Sequence, residues 1–150
     1  MQTKTISIHE SCLIDETVTI VQPVNLYGCK IRSQSFIGPF VEIQSNVQIG
    51  ANSRVQSHSF ICSNVSIGNN CFIGHGVMFI NDKFTEGGPA RGNQQLWGHT
   101  RLEDNVSIGS NATILPVDIC SNVVIGAGSV VTKNICEPGV YAGNPAKKIK

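Results

Sequence analysis

Large apolar residues recur at every sixth position from Ile31 to Phe79: Ile31, Ile37, Ile43, Ile49, Val55, Ile61, Ile67, Ile73 and Phe79. Two residues before each stands a small or β-branched one, from Cys29 and Ser35 through to Cys71 and Val77. An α-helix repeats near 3.6 residues and a half-buried strand near 2, so a period of six matches neither by itself. It matches a short strand plus a turn, repeated. Each unit then supplies one large and one small inward side chain, two apart, as alternation along a strand requires. Asn46, Asn52, Asn64, Asn70, Asn105, Asn111 and Asn122 each stand three before a large residue. Asparagine tolerates the left-handed conformation that a tight corner needs. Three such units close one triangular coil, and successive coils hydrogen-bond about 4.8 Å apart. The expected fold is all-β: a parallel β-helix built from hexapeptide repeats.

The array begins early and is broken once. Ile8, Ile14, Ile20 and Leu26 keep the six-step, while Lys4, His9, Glu10, Asp15 and Glu16 make this first coil polar, as suits a cap on an open solenoid end. After Phe79 the next large residue falls at Leu102 instead of position 85. The segment between, about 81–100, contains Gly87, Gly88, Pro89, Gly92 and Gly98 and reads as one long protruding loop, with the single Trp97 to anchor it. Leu102, Ile108, Ile114, Ile119, Ile125 and Val131 then resume the array. About six coils result, in a single domain over residues 1–150. The tail, about 137–150, is expected to leave the prism, and no substantial helix is expected. A net charge of +1 with 14% charged residues argues against nucleic-acid or membrane partners. No signal peptide or long apolar run is apparent, so a cytoplasmic location is the expectation. Cys12, Cys29 and Cys71 fall in the small inward slots and read as core thiols, not disulfides or metal ligands.

A prism filled by its own side chains must bind ligands outside, and the register locates candidates. Val55 and Ile73 are one coil apart, which stacks the corners carrying His58 and His75. Histidine as a residue type can take a proton from an amine or hydroxyl nucleophile near neutral pH, so these two are the candidate catalytic pair. Asn81 and Asp82 open the loop one face further on and His99 closes it, which makes these three further candidate site residues. Ordinary surface corner residues are the competing reading. The stretch Gly126-Ala127-Gly128 makes a corner with almost no side chain, where a thin pantetheine arm could approach the backbone. Lys133, Lys147 and Lys148 could then meet phosphates, or merely solvate the tail. The His spacings, 17 between His58 and His75 and 24 on to His99, lack the five-residue pair of the zinc-binding hexapeptide carbonic anhydrases, so no metal site is expected.

The repeats, the loop after GHGVMFINDKF, and the ending GAGSVVTKNI with GVYAGNPAKKI resemble the left-handed β-helix acyltransferases. Within these, GHGVMFINDKF is similar to bacterial nucleotide-sugar N-acetyltransferases that acetylate dTDP- or UDP-linked amino sugars. The resemblance implies left-handed coils and a homotrimer, with acetyl-CoA as co-substrate between subunits near the last coils. It implies a nucleotide-sugar acceptor, of the dTDP-3-amino-3,6-dideoxyhexose type, near the start of the loop at Asn81 and Asp82. The loop departs from the pattern, with Thr85, Glu86 and Gly87 where relatives often carry Pro-Arg; that bears on the acceptor more than on the reaction. The rival expectations are a sugar O-acetyltransferase and a non-catalytic β-solenoid scaffold.

Overall fold

The six-residue period translates directly into three stacked faces in the computed structural model, which describes residues 1–150. The first face holds Leu13–Ile14, Cys29–Ile31, Val47–Ile49, Val65–Ile67, Thr100–Leu102 and Asp118–Ile119. The second face begins with Thr19–Ile20, Phe36–Ile37, Arg54–Val55 and Phe72–Ile73, and continues through Ser107–Ile108 and Val123–Ile125. The third holds Asn25–Leu26, Glu42–Ile43, Phe60–Ile61, Met78–Phe79, Thr113–Ile114 and Val130–Val131. Each strand is followed by the next face, so the chain coils. Pairing between coils is parallel and in register, for instance Ile37↔Val55, Val55↔Ile73, Ile73↔Ile108 and Ile108↔Ile125 on the second face. This is the expected left-handed parallel β-helix, six coils deep with partial turns at both ends.

The inward residues are those the period picks out. Phe79, Leu26, Ile31, Ile37, Ile43, Ile49, Ile61 and Ile73 are each less than 2% exposed. Small slots take polar side chains where a carbonyl of the next coil can receive them. Ser35 Oγ donates to the Gly50 carbonyl at 2.8 Å, Ser53 Oγ to Gly68 at 2.9 Å and Ser59 Oγ to Gly74 at 2.8 Å. No buried side-chain nitrogen or oxygen is left without a partner, which removes the main cost of burying hydroxyls. All seven corner asparagines have φ between 55° and 71°. All six cysteines are free thiols, and burial pushes the Cys29 and Cys62 thiols up to about 12.

Two elements differ from the sequence reading. The tail does not leave the prism: Gly139–Gly143 lies parallel on Val123–Ile125 as a seventh strand of the second face, and Ala146–Lys148 folds back antiparallel to it. The reason is an open sheet edge at Val123–Ile125, whose unpaired backbone groups this segment satisfies. The loop contains one short 3-10 turn, Gln94–Leu96, capped by the Asn93 side chain. No helix is long and apolar enough to cross a membrane.

Candidate functional site

The corner between the second and third faces is the most unusual edge of the prism. Backbone hydrogen bonds define its column. His58 N donates to the Pro39 carbonyl at 3.2 Å, Gly76 N to Ser57 at 3.0 Å, Asn111 N to His75 at 2.9 Å and Gly128 N to Ser110 at 2.8 Å. From bottom to top the edge therefore reads Pro39-Phe40, Ser57-His58, His75-Gly76, Ser110-Asn111, Ala127-Gly128. His58 and His75 occupy adjacent coils on it, both exposed. Gly126-Ala127-Gly128 stands on the same edge, two coils above His75, or roughly 10 Å at the inter-strand spacing. Sequence reading treated the His pair and the glycine corner as separate groups; the loop hid the count of coils that joins them.

Local chemistry explains how each position is held. The His58 ring packs against Phe40, with centroids 4.9 Å apart and planes inclined by 33°, within the range of offset aromatic pairs. Gly76 has φ +66°, and a Cβ there would collide with the Asn111 side-chain amide. Gly128 has φ +68°, yet a Cβ there would meet nothing within 4 Å, so the chain leaves an open notch at this level. Above the notch, Gly143 N donates to Ser129 Oγ at 3.1 Å and Gly126 N to the Tyr141 carbonyl at 2.8 Å. The Gly143-Asn144-Pro145-Ala146 turn thus crowns the same edge, and Lys147, paired with Ala142, lies just inside it.

The loop leaves from a different corner, between the third and first faces. Asn81 Nδ2 donates to the Ser63 carbonyl at 3.1 Å, and the Asn81 carbonyl accepts from Gly98 N at 2.7 Å. The Asp82 carboxylate accepts from Phe84 N at 3.0 Å and Ala90 N at 2.7 Å, and Asp82 bridges to Trp97. Both side chains hold the neck of the loop, so their first task is architectural. His99 is exposed at the loop's return, beside Thr100, whose N–H donates to the Asn64 carbonyl at 3.0 Å. Lys133 stands past Val131 on this same third corner, a face away from the glycine corner it was grouped with; Lys148 is engaged with Glu137 at 3.1 Å. Within one chain, then, the structure joins His58, His75, Gly126, Ala127, Gly128 and Lys147, and separates from them Asn81, Asp82, His99 and Lys133. The largest hollow on the chain lies elsewhere, lined by Lys4, His9, Tyr27 and Ser45 among others.

Two family models match: the hexapeptide repeat of succinyl-transferase over residues 64–78 and 99–133, and the bacterial transferase hexapeptide (six repeats) over residues 28–63. Together they span more than half of the chain. The chain belongs to the hexapeptide-repeat family. Chloramphenicol acetyltransferase of Klebsiella aerogenes is 44% identical over 57 residues, which are 37% of this chain and 27% of that protein. A hexapeptide-repeat acetyltransferase of Vibrio cholerae O1 biovar eltor, VCA0836, solved with acetyl coenzyme A, superposes with a TM-score of 0.68 at 22% identity, covering 82% of this chain and 70% of that one. A mutant of AntD, an N-acyltransferase of Bacillus cereus solved with dTDP-4-amino-4,6-dideoxyglucose and coenzyme A, superposes at 0.52 with 24% identity, covering 95% of this chain and 82% of that one. The structural likenesses establish the fold. The chain spans about a fifth to a third of the length of the curated relatives it matches.

Sequence reasoning singled out neither Phe40 nor Arg54, both exposed near this edge. Phe40 carried a readable signal: it stands three before Ile43, in the slot that asparagine fills at seven other corners.

Proposed function

We propose that the protein is an acetyl-CoA-dependent N-acetyltransferase acting on the amino group of a nucleotide-linked amino-deoxysugar. The observation that carries this reading is the shared edge: two exposed histidines and a side-chain-free notch on one column, roughly 10 Å apart. The acetyltransferases among the similar proteins, one of them solved with acetyl-CoA, and the N-acyltransferase solved with coenzyme A and a dTDP-amino sugar support the same reading. On this proposal the pantetheine arm passes the notch at Gly126, Ala127 and Gly128, and Lys147 meets a cofactor phosphate. The neutral amine attacks the thioester carbonyl directly. The C–N bond forms, the C–S bond breaks, and coenzyme A leaves as its thiol. His75 or His58 accepts the proton lost from the amine and passes it to the departing thiolate, and a backbone N–H at the glycine corner stabilises the oxyanion. No metal takes part.

The same proposal requires a homotrimer. On the third face the outward column above the first coils, Phe60, Met78, Thr113 and Val130, carries no charge. The first face presents Lys30, Gln48, Ser66, Arg101 and Asp118. A neighbour covering the third face would place its surface along the His edge and convert an outer corner into a cleft. The loop of a neighbour, with Asn81 and Asp82 as its clasp and His99 at its return, would close that cleft on the acceptor. A thiol-release assay with acetyl-CoA and a panel of amino sugars and their hydroxyl counterparts tests the reading. Release with amines supports it, release with hydroxyls alone replaces it with O-acetyl transfer, and no release with either leaves a scaffold.

A further inference from the structure

Phe40 occupies a position that its side chain makes costly. Its φ is +60°, the left-handed region, while the other corner residues of positive φ in the coils are Asn, Gln, His and Gly. A bulky residue there is an outlier, and backbone strain of this kind persists where the surroundings or a ligand reward it. Burial does not reward it, because Phe40 is 56% exposed. One of its neighbours is the His58 ring, 4.9 Å away, so the two rings form an outward ledge at the lower end of the catalytic edge. On the adjoining second face, Arg54 stands in register between Phe36 and Phe72, its guanidinium carbon 4.3 Å from the Phe36 ring centroid. That cation–π contact orients the fork but leaves its donors to solvent.

Phe40 with His58 packed against it, an oriented guanidinium on the adjoining face, and His75 one coil above His58 offer one contact each to a planar ring, an anion and a reacting group. We propose that Phe40 stacks the base of a nucleoside diphosphate, and that Arg54 binds its diphosphate, so that the sugar amine reaches His75. This rests on the reading of a nucleotide-linked acceptor given above. The adenine of coenzyme A is the other aromatic base present in the reaction. It is assigned elsewhere because Lys147, the proposed phosphate contact, lies beyond the notch at Gly128, on the side away from Phe40, and so turns the nucleotide end of the cofactor away from the ledge.

The test is Phe40→Asn, which places at this corner the residue that the other corners use and so removes the ring without adding strain. Binding of dTDP and UDP is measured by calorimetry on the assembled protein, beside adenosine 3′,5′-bisphosphate as the cofactor's own nucleotide. The expected result is about tenfold or greater loss of dTDP or UDP affinity, the scale of one lost stacking contact, with unchanged adenosine bisphosphate affinity and an equal or higher Tm. Arg54→Gln is expected to weaken the diphosphates by a similar factor and to flatten their salt dependence. Wild-type protein that binds neither dTDP nor UDP overturns the proposal, as does a Phe40→Asn variant with undiminished affinity. Loss of the adenosine bisphosphate instead assigns the ledge to coenzyme A, and a drop in sedimentation mass or Tm assigns it to packing; either result overturns it too. Diphosphate binding is read without any acetyl transfer. A protein that binds dTDP through Phe40 but releases no thiol would keep this inference and defeat the proposed reaction.

Discussion

The second and third corners of the prism solve the same turning problem in opposite ways. At the second corner every coil turns without interruption, and the exposed residues fall into a column because the coils are in register. At the third corner the chain breaks out after Phe79 and returns at Thr100, and the polar side chains at the break, Asn81 and Asp82, are spent on backbone groups of the loop and its base. Regularity aligns functional side chains at no extra cost in order, whereas an excursion consumes side chains to keep its own shape. On the proposed reading, the uninterrupted corner carries the chemistry and the loop serves as an accessory wall.

The sharpest way to break this contrast is at the second corner. His75→Ala or His58→Ala is expected to lower kcat by about 10²–10⁴-fold, the usual contribution of a positioned base, with sedimentation mass and Tm unchanged. Full activity in both variants would return the pair to ordinary corner residues.

Core register underlies both corners, so the next largest effect is shared by them. Ile61 is fully buried, and Ile61→Ala is expected to cost about 2–5 kcal/mol in denaturant unfolding. Ile61→Gln would be worse for want of amide partners. A change under about 0.5 kcal/mol would mean that the inward register is wrong.

At the third corner, Asp82→Ala removes the acceptor of two loop N–H groups. We expect an acceptor KM about tenfold higher, in line with roughly 1.5 kcal/mol for such bonds, while Tm stays within about 2 °C because the coils do not depend on the loop. A larger Tm loss would make the loop part of the core's support and weaken the contrast.

Smaller still, Gly128→Asn keeps the left-handed turn but fills the notch. Stability should stay within about 0.5 kcal/mol, and the KM for acetyl-CoA should rise several-fold with the acceptor KM unchanged. Finally, Lys147→Ala is expected to raise the acetyl-CoA KM about two- to fivefold, a surface phosphate contact at most, and Lys133→Ala to leave it alone. The reverse order would show that the cofactor lies along the third corner.

The coils are legible because one period governs both burial and turning: the same spacing sets the large residues from Ile31 to Phe79 inward and the asparagines at the corners. The stacking of His58 near His75 followed from the same count. What the count could not carry was anything beyond a break. The loop concealed that Ile73, Ile108 and Ile125 stack, and so that the histidines and Gly126–Gly128 share an edge. The tail was misread because Gly139–Gly143 has no six-step; its place is fixed by the free edge of Val123–Ile125, a tertiary demand that leaves no local mark. The clasp role of Asp82 depends on loop N–H groups at Phe84 and Ala90, whose convergence on one carboxylate no spacing reveals.

The regular rise of the coils also makes the second edge a graduated scale. Each rung between His75 and Gly128 sets their separation in whole steps of about 4.8 Å, and side-chain substitution alone cannot tune it in smaller increments. A chain of this design could change the span between the histidines and the glycine notch only by gaining or losing an entire rung. Excising the rung from Thr100 through Val117, or duplicating it, would re-gauge the edge by one division while leaving each remaining corner built as before.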